Sequence, residues 1–187
     1  SLPSETVVTR YWLDKQCGRL KDIPNHIPIA EVTQIVLEAC VTTKKPDGVA
    51  ALLPLKALPR PNDDGTFVLA LDRLQDPGNL GTLFRTALAA EVEVLWLALG
   101  AEPLSKKALR ASSGAGLHVP YKRIGGTENE AVDGLIEKLE LAISIGHQVL
   151  CTFVPGSACQ ELILPYWEVD WTKPTVLVLG NEGGGLH

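Results

Sequence analysis

The stretch FVLALDRLQDPGNLGTLFRTA, residues 67–87, decides the fold of this chain. Its first part, Phe67 to Leu71, is a continuous apolar run, which is typical of a parallel strand buried on both faces. Its last part predicts a helix from Asn79 to Ala90, with Asn79 as the N-cap residue. The polar loop between strand and helix, Asp76 to Asn79, follows the carboxyl end of the strand. Such loops are where α/β folds bind their ligands.

A second glycine-containing stretch follows a later strand, predicted from Thr175 to Leu179. It reads Leu179-Gly180-Asn181-Glu182-Gly183-Gly184-Gly185-Leu186. Closely spaced glycines let backbone N–H groups approach a ligand. The stretch is neither the G-x-G-x-x-G pattern nor a P-loop, so neither dinucleotide nor triphosphate binding is indicated. On glycine content alone, a flexible loop without a ligand remains the alternative.

Strands and helices alternate from Thr66 onward, which predicts an α/β fold with a mostly parallel sheet and helices on both faces. Besides the elements above, we expect three strands, Val92 to Leu99, Val119 to Arg123 and Gln148 to Val154. We also expect a short basic helix from Ser105 to Ala111 and a longer helix from Glu130 to Ile145, with Gly146 as its stop signal.

Residues 1–60 have a different pattern from the rest. The apolar spacing of Ile29 to Cys40 predicts a helix, and Val49 to Leu55 reads as a short strand. Leu58 to Gly65, rich in Pro, Asn, Asp and Gly, reads as a linker. We therefore expect a small N-terminal unit over residues 1–60 and a larger domain over residues 66–187.

Composition and charge narrow the class of protein. The 187 residues are 45% hydrophobic and carry a formal net charge of −5, so the chain is globular and not uniformly coated in positive charge for nonspecific nucleic-acid binding. No secretion signal and no stretch long enough to cross a membrane are visible. The cysteines and histidines lack metal-ligand spacing, and we read the cysteines as reduced thiols. These features favour a cytoplasmic or organellar protein without a metal.

Two groups of basic residues are candidates for chemistry. Arg85 lies beside the apolar stripe of its helix, where it could bind phosphate or act on an alcohol; a surface arginine next to a carboxylate is an equal alternative. Lys106, Lys107 and Arg110 fall within one short helix and could contact phosphates. A solvated helix face explains this second group equally well.

Three segments in order resemble the SpoU/TrmH family of RNA ribose 2′-O-methyltransferases. The first contains Asp72 and the pattern Asp76-Pro77-x-Asn79-x-Gly81-x-x-x-Arg85-Thr86-Ala87. The second is Arg110-Ala-Ser-x-Gly114-Ala115 followed by Val119-Pro120, and the third is the stretch from Leu179 to Leu186. The N-terminal unit is similar to part of the family's small substrate-binding domain.

The resemblance implies a SPOUT-type domain with a deep trefoil knot, a rare exception to the rule that folds are unknotted. It implies S-adenosylmethionine as methyl donor, tRNA or rRNA as substrate, and a homodimer. Arg85 matches the residue that activates the ribose hydroxyl, and Asn79 and Glu182 match further catalytic positions. The donor-binding positions are Thr152, Leu179, Gly180, Glu182 and Gly183, while the basic helix is the candidate RNA contact.

The family's third signature, an apolar stretch with Ser and Asn, has no counterpart before His187. We therefore expect the domain of this sequence to lack its C-terminal segment and the knot to be incomplete. This departure keeps a second hypothesis open, a non-catalytic RNA-binding or ribosome-associated protein that retains the fold.

Overall fold

The computed structural model of the chain describes residues 10–14, 17–19, 21, 23–41, 43, 45–62, 65–152 and 163–186. The chain divides into two compact units, with the boundary between Leu58 and Pro59. This boundary falls within the stretch that reads as a linker in the sequence.

The first unit is built on a three-stranded sheet. Its strands are β1 (Arg10–Asp14), β2 (Ile29–Val32) and β3 (Val49–Leu52), and they lie in the order β2-β1-β3. β1 pairs in parallel with β2 and antiparallel with β3. One helix, α1 (Gln34–Cys40), follows β2, and a short 3₁₀ turn at Leu55–Ala57 follows β3.

The helix predicted over Ile29 to Cys40 is wrong in its first part, because Ile29–Val32 forms strand β2. Thr33 separates the two elements as the N-cap residue of α1, and its hydroxyl accepts a hydrogen bond from the N–H of Val36. The buried residue of α1 is Leu37, whereas Ile35, which the helical spacing had placed on the apolar face, is 79% exposed. The apolar residues that share helical spacing thus belong partly to strand β2 and partly to helix α1.

The second unit is an α/β domain whose sheet has five strands: β4 (Phe67–Asp72), β5 (Val94–Ala98), β6 (Tyr121–Ile124), β7 (Gln148–Cys151) and β8 (Thr175–Leu179). The strand order is β6-β5-β4-β8-β7, and every neighbouring pair is parallel. The helices are α2 (Pro77–Ala89), α3 (Lys106–Ser112) and α4 (Glu128–Ser144). This arrangement confirms the predicted α/β class with a parallel sheet. The predicted strand end at Phe153 and Val154 lies outside the described residues.

Alternate residues of the central strands face two different apolar cores. Leu69 and Leu71 of β4 pack in one cluster with residues of α2, among them Leu80 and Phe84. Val68 and Ala70 of the same strand pack in the second cluster with residues of α4, among them Leu135 and Ala142. Since successive side chains of a strand point to opposite faces, both faces of the sheet are covered, which explains the continuous apolar runs.

Helix α4 begins earlier than the sequence pattern predicts. The apolar stripe that the sequence predicts for it, Val132, Leu135, Ile136, Leu139 and Ile143, is confirmed in part, since Leu135 is buried and Leu139 packs against the core. Thr127 is its N-cap residue and forms a reciprocal capping box with Glu130. The buried residues are Ala131, Leu135 and Ala142, whereas two residues of the predicted stripe, Ile136 and Ile143, are exposed. Gly146 ends the helix in the left-handed region, as predicted.

Helices α2 and α3 approach each other most closely at Gly81, which is buried. A Cβ atom on Gly81 would lie 2.4 Å from the carbonyl oxygen of Ala108 and 2.8 Å from the amide nitrogen of Ser112. These are backbone atoms of α3, which begins after the N-cap residue Ser105. The absence of a side chain at Gly81 therefore sets the spacing of the two helices.

We predict that Gly81→Ala destabilises the domain, although alanine is the better helix former by about 1 kcal/mol. The new methyl group meets backbone that has to move, and overpacking of this kind costs about 1–3 kcal/mol. Urea unfolding monitored by circular dichroism measures the change. Gly134→Ala in α4 is the matched control, because its Cβ would meet no backbone and a single side-chain atom, Cγ2 of Ile124 at 2.9 Å. Equal effects of the two substitutions would contradict this account.

Candidate functional site

The two glycine-containing loops lie side by side at one edge of the parallel sheet. They follow β4 and β8, which are hydrogen-bonded neighbours with Leu71 opposite Leu179. The chain runs from β4 to β5 on one side of the sheet, while β8 and β7 lie on the other side. The carboxyl ends of β4 and β8 therefore lie side by side, and the carboxyl edge of a parallel sheet is where open α/β folds bind ligands.

The first loop, residues 73–76, enters helix α2 through Asp76. The Asp76 carboxylate accepts a hydrogen bond from the N–H of Asn79 (2.9 Å), and Pro77 occupies the first turn. Asp76, and not Asn79 as predicted, is thus the N-cap residue. This correction matters for the site because it leaves the Asn79 side chain available for another contact.

Asp76 also forms an ion pair with Lys107 of α3, whose Nζ lies 2.5 Å from Oδ2. The ion pair and the hydrogen bond from Asn79 hold the pKa of the Asp76 carboxyl below its usual range. Asp76 therefore stays ionised as the cap of α2 and connects the first loop to the basic helix.

The second loop, residues 180–185, is a closed turn organised by Asn181. The backbones of Asn181 and Gly185 exchange two hydrogen bonds, of 2.8 and 3.0 Å. The Asn181 side-chain oxygen accepts hydrogen bonds from the N–H groups of Gly183 (2.8 Å) and Gly184 (3.0 Å). A Cβ atom on Gly180 would overlap the backbone of Gly185, so only glycine fits there. The hydrogen bonds give the turn a defined shape, unlike the flexible loop that glycine content alone allowed.

Glu182 joins the second loop to the first. Its Oε1 accepts hydrogen bonds from the side-chain amide of Asn79 (3.1 Å) and the N–H of Asp76 (3.3 Å), and its Oε2 from the N–H of Gln75 (3.3 Å). Desolvation raises the pKa of the Glu182 carboxyl, but the hydrogen bonds, including one from its own N–H, lower it below the ordinary value overall. Glu182 is therefore held as a carboxylate across the two loops, and the structure brings predicted site residues Asn79 and Glu182 into direct contact.

Arg85 lies further along α2 and has an exposed side chain. Within the described residues it makes no hydrogen bond and no ion pair. The alternative of a surface arginine held by a carboxylate thus finds no partner in this part of the chain. The helix that begins in the first loop carries the guanidinium and leaves it open to solvent.

The three basic residues of α3 have different surroundings. Lys107 is turned toward the first loop by its ion pair with Asp76. Lys106 and Arg110 are exposed and, four positions apart, share one face of the helix. They are not ion-paired within the part of the chain that the structure describes. The structure therefore separates Lys107 from the other two members of the predicted phosphate-contact group.

The remaining predicted donor-binding positions cluster at the ends of β7 and β8. Thr152 follows β7, and its N–H (2.9 Å) and hydroxyl (3.3 Å) both donate to the carbonyl of Val178 in β8. Leu179 ends β8 and is half-buried, and Gly180 begins the turn. Thr152, Leu179, Gly180 and Gly183 thus lie along one edge, beside the first loop.

The sequence reasoning gave no role to Arg73 or Asn181. Arg73 lies directly after β4 with a φ of +53°, in the left-handed region that residues other than glycine rarely adopt. Its carbonyl accepts a hydrogen bond from the Asn181 side chain (2.9 Å). An Asn whose side chain can accept the N–H two residues on is a turn signal that could have identified Asn181. No local signal predicts the role of Arg73, because Glu128 and Asn181 are distant from it in sequence.

The described residues contain no group of His, Cys, Asp and Glu side chains arranged to hold a metal ion. None of the helices within these residues is long and apolar enough to cross a membrane. The candidate site consists of the two loops, the ends of β7 and β8, and the basic helix α3.

A parallel α/β domain with two polar loops side by side at the carboxyl edge of its sheet has the arrangement of α/β domains that bind ligands. The particular family follows from comparison: the model of the SpoU rRNA Methylase family matches residues 66–187. The chain belongs to this family, as the three sequence segments predicted. Its α/β SPOUT-type fold is confirmed by the sheet and by structural neighbours, while the knot stays a prediction.

Two related sequences match different shares of this chain. An uncharacterized tRNA/rRNA methyltransferase from Synechocystis is 40% identical over 81% of this chain and 51% of its own length. The 23S rRNA (guanosine(2553)-2′-O)-methyltransferase RlmP of Bacillus subtilis is 29% identical over 100% of this chain and 68% of its own length. The chain thus spans about half the length of the first of these relatives.

A solved rRNA methyltransferase from Sinorhizobium meliloti has the same fold. It is 27% identical with a TM-score of 0.70, covering 97% of this chain and 67% of the solved one. The AdoMet-bound form of a Sinorhizobium meliloti rRNA methyltransferase is 28% identical with a TM-score of 0.68, covering 96% of this chain and 66% of the solved chain. Both structural matches also include residues of the first unit.

We predict that Glu182 makes stability depend on pH. Its pKa is lower in the folded protein than the ordinary value of 4.5. Its contribution is therefore fully present above that value and is lost as pH falls through the lower folded pKa. Glu182→Gln should lose this contribution, by less than about 1 kcal/mol at neutral pH because the group is exposed to solvent. Unfolding in urea at pH 7 and pH 3, roughly the two sides of the carboxylate range, measures it.

Glu140→Gln is the matched control for Glu182, since Glu140 lies on an exposed part of α4. The difference between wild type and Glu182→Gln should shrink toward low pH, while Glu140→Gln should behave as wild type at both values. A pH-independent effect of Glu182→Gln would argue against the carboxylate bridge between the loops.

Proposed function

We propose that this chain carries the methyl-transfer domain of an RNA ribose 2′-O-methyltransferase that uses S-adenosylmethionine. The observation that carries the proposal is the pairing of the two loops through Asn79 and Glu182 at the carboxyl edge of the sheet. It brings a loop suited to a donor next to a loop that starts the helix of Arg85. Family membership and the printed activities of the relatives support the same reaction.

The donor side of the site fits an adenosyl group in its chemistry. Leu179 offers half-buried apolar surface, and Thr152, Gly180 and Gly183 lie beside it at the ends of β7 and β8. Glycines in this turn let a ligand approach the backbone. S-adenosylmethionine, when bound, supplies the activated methyl group. We assign Thr152, Leu179, Gly180 and Gly183 to hold it, and Glu182 to keep the turn in place.

On the acceptor side, Arg85 is assigned to the ribose hydroxyl. A hydroxyl is a poor nucleophile until its proton moves to a positioned acceptor, which is worth roughly 10²–10⁴-fold in rate. Arginine is nearly always protonated. Because the Arg85 side chain is exposed, we favour the route in which the guanidinium fixes a phosphate of the substrate, whose oxygen takes the proton from the hydroxyl. Asn79 is assigned to orient the first loop.

Lys106 and Arg110 are assigned to contact RNA phosphates, since they are exposed on α3, which packs against the helix of Arg85. We further propose that the full-length protein is a homodimer in the cytoplasm or an organelle, and that the first unit is part of a substrate-binding domain. These assignments rest on the resemblance to the family. The mass of the full-length protein in solution tests the dimer.

The reaction is tested with the full-length protein, labelled donor and total RNA. Label should appear on ribose 2′-oxygens, identified by nucleoside analysis. Binding of RNA without donor affinity, measured by calorimetry, would instead support the alternative of a non-catalytic RNA-binding protein. A full-length protein that binds neither the donor nor RNA would contradict both hypotheses.

We predict that Arg85→Ala abolishes methyl transfer, with a loss of roughly 10²-fold or more, while the affinity for S-adenosylmethionine stays within a few-fold. The reason is that Arg85 faces the acceptor side and contacts neither loop. Single-turnover transfer and calorimetry measure the two quantities. Arg60→Ala, at an exposed linker position, is the control. Transfer by Arg85→Ala within a few-fold of wild type would remove Arg85 from this role.

We predict different outcomes within the basic helix. Lys106→Ala and Arg110→Ala should weaken RNA binding and reduce its salt dependence by about one counterion each, without changing stability. Lys107→Ala should also destabilise the first loop, because it leaves Asp76 unpaired. Filter binding at several salt concentrations, together with thermal unfolding, separates the two behaviours. Identical profiles for all three variants would contradict the division.

A further inference from the structure

Arg73 lies at a junction of four elements of the α/β domain. Its N–H donates to the carbonyl of Ala98 at the end of β5 (2.8 Å). Its backbone is in the left-handed region, with a φ of +53°. Such a conformation in an arginine persists only where surrounding contacts determine it. The contacts of its side chain supply that determination.

The Arg73 guanidinium bridges two carboxylates. Its Nε and Nη2 donate to the two oxygens of Asp72 (2.9 and 3.2 Å), and its Nη1 donates to Oε1 of Glu128 (2.8 Å). Glu128 is the first residue of α4. The side chains of Arg73 and Asp72 are only 18% and 4% exposed, so water competes little for their pairing, whereas Glu128 is 59% exposed. The planar fork of arginine fixes the residue between the end of β4 and the start of α4.

The carbonyl of Arg73 reaches the second loop. It accepts the hydrogen bond from Nδ2 of Asn181, whose other side-chain end accepts the N–H groups of Gly183 and Gly184. The two ends of the Asn181 amide are therefore fixed from opposite sides. The orientation of this amide determines the shape of the glycine turn.

We propose that Arg73 is a positioning residue that keeps the second loop in its donor-binding shape through its own backbone carbonyl. This inference rests on the proposed function, since Gly180 and Gly183 of that turn are assigned to the donor. The guanidinium itself contacts Asp72 and Glu128 and not the turn. Its replacement therefore acts on donor affinity and leaves RNA binding unchanged.

The test uses the full-length protein with Arg73→Ala, Arg73→Lys and Glu128→Gln. Calorimetry measures the dissociation constant for S-adenosylmethionine, and hydrogen exchange with mass spectrometry follows residues 179–186. Arg73→Ala should raise the dissociation constant roughly tenfold or more, because small displacements of a positioned group are costly. It should also speed exchange in this segment. Arg73→Lys should restore part of both losses, and the Michaelis constant for RNA should not change.

The matched control is the surface pair of Arg123 and Glu102, whose guanidinium and carboxylate lie 2.5 Å apart. Arg123→Lys and Glu102→Gln should leave donor affinity and exchange of residues 179–186 as in wild type. If Arg73→Ala does not fold, Arg73→Lys and Glu128→Gln decide the question by the same readouts. Folded Arg73 variants with wild-type affinity and exchange overturn the proposal. A wild-type protein without donor affinity overturns the proposed function, and exchange then still decides whether Arg73 holds the turn.

Discussion

The hydrogen bonds between the two loops are the constraint on which the site depends. Adjacent parallel strands end at one edge, so the loops after β4 and β8 have to be neighbours, but strand pairing alone leaves their relative position open. Glu182 removes this freedom by accepting two backbone N–H groups and the Asn79 amide from the first loop. Asn181 acts in the other direction and donates to the carbonyl of Arg73. Each loop thus satisfies polar groups of the other, which fixes their relative position.

These contacts divide the predicted site residues into two kinds. The side chains of Asn79 and Glu182 are hydrogen-bonded to each other. Both therefore position the two loops, independently of any contact with a substrate. Arg85 is different, since it is exposed and makes no hydrogen bond within the described residues. An exposed arginine on the helix that follows an ordered loop is suited to meet a ligand. The proposed acceptor role of Arg85 is consistent with this difference.

The sequence predicts the centre of the α/β domain well because Phe67 to Leu71 is buried on both faces, and burial on both faces leaves a continuous apolar run. It fails at Ile29 to Cys40, where strand β2 depends on pairing with β1, a contact between distant residues that no local spacing records. At the site, Asp76 and Asn79 are both good N-cap residues, and only the structure shows that Asp76 takes this place. Arg73 could not be predicted, because its role depends on Glu128 in another helix.

The close approach of α2 and α3 connects the basic helix to the loops. Gly81 lets the backbone of α3 lie against α2, and the ion pair between Lys107 and Asp76 joins the start of α3 to the cap of α2. The cap residue donates its own N–H to Glu182. A continuous set of contacts thus runs from α3 through Asp76 to the second loop. Lys106 and Arg110, the proposed RNA contacts, therefore lie on a helix that Lys107 joins to the first loop, and Glu182 joins that loop to the donor side.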